Sequence, residues 1–463
     1  MFNTYYKILN NKQLITFLLA GYVLTFLFGS SIFPISLRYF TLYPNLIFIL
    51  LIFGISIFNF KIIKNKVEKY SIGFFSIWSI YSFISIFLVE GKADAIIDFR
   101  SIILFSLTVY NLIWLKNYFG VDEFIKKLNP LIFSIYLFLI VIGLVEYFSG
   151  YHFEGNYSQY ILERPEQSIK ASFFLFDNVN NLTTYIIGIG LILMTLNIKE
   201  NNLFITSTVL SSSLIYSYLL DSKIGIISCF IIGLVLIVKL LSKNFYFNIK
   251  APLKSLYYLV LITLFGVCVL FNPIINNSNQ RISFNGVKAS TDTLVIEKTA
   301  FTSKKIIEDK IPDGLVLIKD TANYYAHTLK FHYGSLNFRK AIFLNAWELF
   351  KEKPLLGIGP GQFRYSQKIG KQKYYSGTIQ NPHFWLMEIL AQYGIIILLG
   401  YITILILSAF KKHLSWTLRV NTILILGAFL FASIMPSAFL LLDINWMFTG
   451  IFIATLNNLN VQR

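Results

Sequence analysis

Residues 339–363 read RKAIFLNAWELFKEKPLLGIGPGQF, and residues 381–399 read NPHFWLMEILAQYGIIILL. Apolar residues recur at helical spacing before Pro354, which predicts an amphipathic helix over 336–352. A glycine-rich turn follows at 357–361, and the second stretch enters an apolar run long enough to cross a bilayer. We expect the amphipathic helix to lie along a membrane surface, to pack on neighbouring helices, or to do both.

The composition of the chain indicates a polytopic membrane protein. Of its 463 residues, 56% are hydrophobic and 14% are charged, and the mean hydropathy of +0.63 is too high for a soluble protein of this length. Cys229 and Cys268 lie in apolar runs and predict neither a disulfide framework nor a CxxC metal site. The net charge of +17 comes from residues between apolar runs, which favours lipid headgroups and a phosphate-bearing substrate over nucleic acid as partners.

The apolar runs predict the fold class. Because about 20 apolar residues cross a bilayer as a helix, we expect an all-α polytopic membrane protein with about twelve transmembrane helices. The first run is not followed by a small-residue cleavage site, so we expect a retained helix. The predicted spans are 14–33, 45–60, 71–89, 96–115, 130–149, 181–197, 203–220, 223–241, 254–271, 384–410, 420–435 and 441–455.

Lys and Arg are concentrated in alternate connections between these runs. This bias predicts a multi-pass protein of the bacterial plasma (inner) membrane with both termini in the cytoplasm. The chain then divides into helices 1–9 (residues 1–271), one large extracytoplasmic segment between helices 9 and 10 (272–383), and helices 10–12 (384–463). Within 272–383, short alternating runs predict strands, and Lys and Arg outnumber Asp and Glu. Such a surface suits an anionic ligand, with a solvated basic face as the alternative.

Several ionisable residues are candidates for a site at the outer surface. His383 stands directly before a membrane helix, where an imidazole could transfer a proton, although a structural role is the alternative. No histidines have zinc-ligand spacing, so we expect no metal and no cofactor.

Basic residues lie on the same predicted side of the membrane as His383. Arg339 and Arg364 flank the glycine turn, and a guanidinium binds pyrophosphate well. Lys223 follows a short outer connection and adds a point charge. Asp98 and Arg100 lie near the outer end of the fourth span, two residues apart, so they do not face each other on a helix. Either could be functional or could pair with a neighbouring helix.

Over residues 339–394 the chain resembles the family of O-antigen ligases and Wzy-type polysaccharide polymerases. The shared features, in the family's order and spacing, are Arg339, Trp347, the PLLGIGPGQF turn with Gly357, Gly359 and Gly361, then His383, and finally Tyr393-Gly394. Two departures stand out: Lys223 occupies the place of an arginine in a Ser-Arg pair, and Asn-Pro-His-Phe replaces a His-Asn pair.

The resemblance implies a membrane glycosyltransferase that moves a glycan from undecaprenyl pyrophosphate to an acceptor hydroxyl on the extracytoplasmic face. His383 would act as the base, and Arg339, Lys223 and Arg364 would bind the pyrophosphate. Trp347 and the three glycines of the turn would shape the site. The implied partners are the lipid-linked glycan donor, a glycan acceptor and membrane lipids, together with a flippase and a chain-length regulator of the same pathway.

The acceptor separates two hypotheses. A polymerase adds the chain to another lipid-linked repeat unit, whereas a ligase adds it to lipid A core or another terminal acceptor. We favour the polymerase, because the large outer segment could select repeat units. A glycan transporter is a third hypothesis, but transporters usually show two similar halves, which this sequence lacks.

Overall fold

The structure is a computed structural model that describes residues 11–27, 35–37, 40–42, 44–149, 179–199, 202–220, 222–241, 335–374, 376, 381–410, 415–434 and 438–456. Its helices are α1 (Lys12–Leu27), α2 (Pro44–Ser56), α3 (Lys66–Leu88), α4 (Lys92–Phe119), α5 (Val121–Ser149), α6 (Val179–Leu196), α7 (Leu203–Leu219), α8 (Lys223–Leu241), α9 (Ser335–Glu352), α10 (Gln362–Lys368), α11 (Trp385–Ala409), α12 (Trp416–Ala432) and α13 (Asp443–Leu456). A 3₁₀ helix, Ile57–Ile62, extends α2.

A short hairpin adds to the predicted all-α architecture. Its strands, β1 (Ile35–Leu37) and β2 (Phe40–Leu42), pair antiparallel in the connection between α1 and α2. The described residues contain no other strand. The strand-like runs predicted within 272–334 lie outside the described residues.

The helices are apolar enough to make this a polytopic, membrane-embedded protein. Helices α3, α4, α5, α8 and α11 have the length and hydropathy to cross a bilayer, and six shorter apolar helices accompany them: α1, α2, α6, α7, α12 and α13. Every predicted span except 254–271, which lies outside the described residues, coincides with one of these helices.

Asparagine and glycine set the helix ends. The side chain of Asn65 accepts a hydrogen bond from the N–H of Val67 at 2.9 Å and so caps α3. Asn202 caps α7 in the same way, with Phe204 as the donor at 3.1 Å. Gly120, at a φ of 81°, ends α4 and lets the chain turn directly into α5.

Helix α4 lies at the centre of the bundle, where it packs against α2, α3, α5 and α13. Large aromatic side chains fill the adjoining core. Phe75 and Trp78 of α3 contact Phe105 of α4, and the Phe105 ring stacks on Trp446 of α13 with centroids 6.1 Å apart. Tyr401 of α11 packs against the same group, so α11 is anchored in the centre of the protein.

Charged groups are buried at both ends of α4. Lys116, near the C-terminal end, pairs with Glu68 of α3, whose other carboxylate oxygen accepts from Asn117 at 2.8 Å. Asp94 and Asp98 are buried near the N-terminal end. At about 1.5 Å per residue, Asp98 and Lys116 are separated by about 27 Å along the axis. This separation is close to the ~30 Å hydrocarbon thickness of a bilayer.

Helix α9 lies where the amphipathic helix was predicted, and it packs on the bundle. Ile342 and Ala346 are buried against Met387 and Ala391 of α11 and against Phe363 of α10. A second row of side chains on the same helix is partly exposed: Phe343 is 39% exposed and Trp347 is 40% exposed. The helix therefore combines a buried ridge with an exposed aromatic flank.

Candidate active site

Helix α11 is broken at Gly394. The φ of 74° and ψ of 179° of this glycine lie outside the helical region. An unbroken helix would pair the N–H groups of Ile395 and Ile396 with the carbonyl groups of Ala391 and Gln392. The break leaves these four backbone groups without their helical partners, and inside a membrane protein such groups need others.

The glycine-rich turn supplies those partners. The two N–H groups after the break donate to the carbonyl groups of Pro354 and Leu355 at 3.0 and 3.4 Å. The two carbonyl groups before it accept from the N–H groups of Ile358 and Gly359 at 2.9 and 3.0 Å. The motif that precedes His383 and the Tyr-Gly pair that follows it therefore form one hydrogen-bonded unit.

Close backbone contacts explain two glycines of the turn. Gly357 and Gly361 have φ values of 73° and 69°, which side-chain-bearing residues rarely adopt. A Cβ atom on Gly357 would lie 2.4 Å from the backbone carbon of Gln392, and one on Gly361 would lie 2.3 Å from the carbonyl of Asp94. The turn thus touches the backbone of α11 on one side and that of α4 on the other.

Asp98 connects α4 to the end of this turn. One carboxylate oxygen accepts from the N–H of Gly361 at 2.9 Å, and the other accepts from Nη2 of Arg364 at 3.0 Å. The N–H of Gly361 is shared with Oε1 of Gln392 at 2.6 Å. A single buried carboxylate therefore contacts both the turn and α10.

Arg364 is the centre of a buried ion cluster. Its guanidinium also lies 3.6 Å from Asp94, which pairs with Lys368 at 2.7 Å. Nη2 of Arg364 donates to Oδ1 of Asn381 at 3.0 Å, two residues before the histidine of the signature. The structure thus gives Arg364 acidic protein partners, whereas its binding to pyrophosphate stays a prediction.

Arg339 and His383 form a different environment. Burial lowers the pKa of Arg339, and no acidic side chain among the described residues counters this. Burial and the nearby Arg339 guanidinium also lower the pKa of His383 to about 4, so the imidazole is neutral at neutral pH. Within the described ranges, Nδ1 of His383 has no hydrogen-bond partner. Arg339, which has no acidic partner among the described residues, therefore lies close enough to the neutral imidazole of His383 to act on it electrostatically.

A side-chain clamp holds the chain that follows α10 against α9. The buried Asn345 donates to the carbonyl of Tyr374 at 2.8 Å and accepts from its N–H at 2.9 Å. Asn345 also donates to Oε1 of Gln372 at 3.0 Å. These bonds fix the position of the helix that carries Arg339.

The other predicted residues have different surroundings. Trp347 is on the exposed flank of α9, with its ring 5.2 Å from that of Phe350. Lys223 is exposed at the start of α8, which packs against α7 and α12. Arg100 interacts electrostatically with the buried Asp443 of α13.

Sequence reasoning missed several polar residues of the site. Glu388, inside α11, accepts from the N–H groups of Phe439 and Leu440 at 2.7 and 3.4 Å and so fixes the segment before α13. An acidic residue within an apolar run was the signal that could have identified it. Asn381 and Gln392 carried no such signal, since uncharged amides are common in loops and at helix ends.

Comparison with known proteins agrees with the signature. The model of a family described as O-antigen ligase matches residues 208–402. The match covers less than half of the chain, so it shows that this stretch is similar to the O-antigen ligase family. The matched stretch includes most of α7, all of α8, α9 and α10, and most of α11, and so contains the whole unit built around the helix break.

A relative extends the similarity beyond this stretch. The chain is 23% identical over 399 residues to the teichuronic acid biosynthesis protein TuaE of Bacillus subtilis (strain 168), which covers 84% of this chain and 72% of the relative. The predicted family resemblance is confirmed. The two similarities support membrane polysaccharide biosynthesis at the level of the family, and that family implies lipid-linked glycan substrates.

Proposed function

We propose that the protein is a glycosyltransferase that polymerises undecaprenyl-pyrophosphate-linked repeat units into a surface polysaccharide. The observation that carries this proposal is the pair of Arg339 and His383. A partly desolvated guanidinium with no acidic partner among the described residues attracts an anion, and the neutral imidazole on which it acts electrostatically can accept a proton.

In the proposed reaction, the bond between the donor's anomeric carbon and the pyrophosphate oxygen breaks. The acceptor hydroxyl oxygen forms the new bond to that carbon and loses its proton to His383. Lipid pyrophosphate leaves with the electron pair of the broken bond, and Arg339 stabilises its charge. Lys223, at the start of α8, is proposed to add a second positive charge near the pyrophosphate. Trp347 is proposed to line the part of the site that binds the acceptor.

Donor binding would also strengthen the base. The pyrophosphate places negative charge beside Arg339, which offsets the positive charge that lowers the pKa of His383. The imidazole is then a better proton acceptor in the complex than in the free protein. The two residues thus have coupled roles, one in binding and one in proton transfer.

Two observations bear on polymerase against ligase. The B. subtilis relative is named for teichuronic acid biosynthesis and matches most of this chain, which supports polymer formation. The description of the family as O-antigen ligase supports transfer to a terminal acceptor instead. We favour the polymerase, and the ligase is the second candidate.

We further propose twelve spans, with both termini in the cytoplasm and the Arg339–His383 pair at the extracytoplasmic face. The basic connections support this orientation. In a variant without Cys229 and Cys268, a cysteine at exposed position 371 should react with an impermeant maleimide on intact cells, and one at exposed position 69 only after permeabilisation. The reverse pattern would invert the orientation.

Reconstitution with lipid-linked repeat units from the same host tests the function. A ladder of longer lipid-linked chains is expected with no other acceptor present. His383→Ala should reduce its rate by ~10²–10⁴-fold, the usual contribution of a general base, and Arg339→Gln should raise the donor KM. Lys340→Gln is the matched control, because Lys340 is exposed and directly follows Arg339 in the sequence.

Transfer that occurs only after a terminal acceptor is added would make the protein a ligase. Movement of lipid-linked units across the membrane without glycan transfer would make it a transporter.

A further inference from the structure

The ion cluster around Arg364 spans three parts of the fold that are far apart in sequence. Asp98 belongs to α4, Arg364 to α10, and Asn381 to the segment that leads into α11. Nη2 of Arg364 contacts the Asp98 carboxylate and the Asn381 side-chain oxygen, each at 3.0 Å. A single guanidinium nitrogen therefore connects a central membrane helix to the side chain of Asn381, two residues before His383.

Arg364 cannot easily leave this position. Its side chain is 6% exposed, and those of Asp94 and Asp98 are 5% and 4% exposed. Among the described residues, Lys368 is the other basic side chain that pairs with these carboxylates. Moving the arginine away would leave buried carboxylates without their main counter-ion, which is strongly unfavourable.

We propose that Asp98 and Arg364 form a positioning pair that sets the placement of His383 through Asn381, and that Arg364 does not bind the donor pyrophosphate. This inference rests on the proposed function, within which it assigns Arg364 a role different from that of Arg339. Asp98 holds the guanidinium, the guanidinium holds Asn381, and Asn381 fixes the start of the Pro382-His383 segment. The N–H of Gly361 donates to the same Asp98 carboxylate and so connects the glycine turn to this pair.

Positioning and pyrophosphate binding predict opposite results for Asp98→Asn. If Asp98 positions Arg364, the variant lowers kcat and changes the donor KM by less than about threefold, because ground-state binding is unaffected. If Arg364 is instead a pyrophosphate ligand, loss of the competing carboxylate frees it and the donor KM falls.

The reconstituted polymer assay should therefore compare Asp98→Asn, Arg364→Lys and the double variant. We expect at least a tenfold loss of kcat in each single variant, and no greater loss in the double variant because the two residues act as a unit. Arg364→Lys keeps the charge but cannot span Asp98 and Asn381 together, so folded protein should be retained while kcat falls. A rise of more than tenfold in the donor KM for Arg364→Lys, or a lowered KM for Asp98→Asn, would overturn the inference.

The matched control is an exposed ion pair between the same two regions. Lys371, just after α10, lies 3.4 Å from Glu90, just before α4, and both are largely exposed. Glu90→Gln should leave kcat and KM unchanged, since exposed pairs contribute little. An equal loss of kcat in Glu90→Gln would show that any weakening of this junction has the same effect, and would contradict a specific role for Asp98.

A second measurement does not depend on transferase activity. Diethyl pyrocarbonate modification of His383, followed by mass spectrometry, reports the surroundings of the imidazole directly. We expect its rate to change at least threefold in Asp98→Asn and Arg364→Lys and to stay constant in Glu90→Gln. If wild-type protein transfers no glycan, the proposed function fails, yet this measurement still tests the positioning. Unchanged modification in both variants would overturn it.

Discussion

Arg339 and Arg364 both flank the glycine turn, but their surroundings differ. Arg364 is almost fully buried, 3.0 Å from Asp98 and 3.6 Å from Asp94. Arg339 is partly buried and has no acidic partner in the described part of the chain. A buried cation that protein carboxylates neutralise stabilises the fold, whereas one that they leave unmatched is available to a ligand. The counter-ions of an arginine, rather than its closeness to a signature motif, therefore indicate its role.

Neutral replacement of each arginine should give the largest contrast. Arg364→Met leaves Asp98 buried without its cation, and we expect the free energy of unfolding to fall by about 3–5 kcal/mol. Arg339→Met removes a desolvated cation, so stability should change by less than ~1 kcal/mol or should rise. Denaturant unfolding in detergent micelles measures both, with Lys371→Met as the control for an exposed pair. Similar losses in the two arginine variants would remove the distinction drawn here.

Glycine substitutions extend the contrast to the backbone. Gly361→Ala combines a positive φ with a Cβ atom 2.3 Å from the backbone of Asp94, and should destabilise the protein by about 2–4 kcal/mol. Gly427→Ala, in α12 with open space around its Cβ position, should be neutral or stabilising by up to ~1 kcal/mol. Unfolding transitions of both variants provide the comparison. A Gly361→Ala protein as stable as Gly427→Ala would show that the turn adapts freely.

The smallest expected effect is on the pH dependence of transfer. Because the pKa of His383 is lowered to about 4, its basic form is present above that pH, and kcat/KM should fall only as the pH drops through it. Arg339→Gln removes the second cause of the lowered pKa, so the acid limb should move to higher pH by less than about one unit. Arg364→Lys should move the limb less than Arg339→Gln does, because Arg364 is not among the causes of the lowered pKa. Transfer rates measured from about pH 3.5 to about pH 7, which covers the titration of a histidine with a lowered pKa, provide the test. A larger shift in Arg364→Lys than in Arg339→Gln would reverse the assignment of the two residues.

The sequence predicted the helices well because hydropathy decides membrane insertion directly. The run that became α11 was identified from its length and apolar character alone, and Ile342 and Ala346 indicated the buried face of α9 through their spacing. The hairpin between α1 and α2 was missed, since three-residue strands leave no periodic signal.

The candidate site was predicted less completely, because contacts between distant segments leave no local pattern. His383 and Arg339 were identified by position and by resemblance to the family, and in the structure Arg339 acts electrostatically on His383. The pairing of Asp98 with Arg364 joins residues 266 positions apart, so no spacing rule could reveal it. The break at Gly394 was likewise hidden, since glycine is tolerated in membrane helices and only its backbone angles show the interruption.

The interrupted helix α11 also constrains how the chain is made and how it can be recombined. Residues 354–359 leave the ribosome before residues 391–396, yet each segment holds the hydrogen-bond partners of the other. Neither segment can be buried in lipid alone without unsatisfied backbone groups, so insertion of α11 and docking of the turn are one coupled step of biogenesis. A chimaera with a related enzyme must therefore exchange residues 353–396 as one block, because a junction inside it would pair a turn from one protein with a helix break from another.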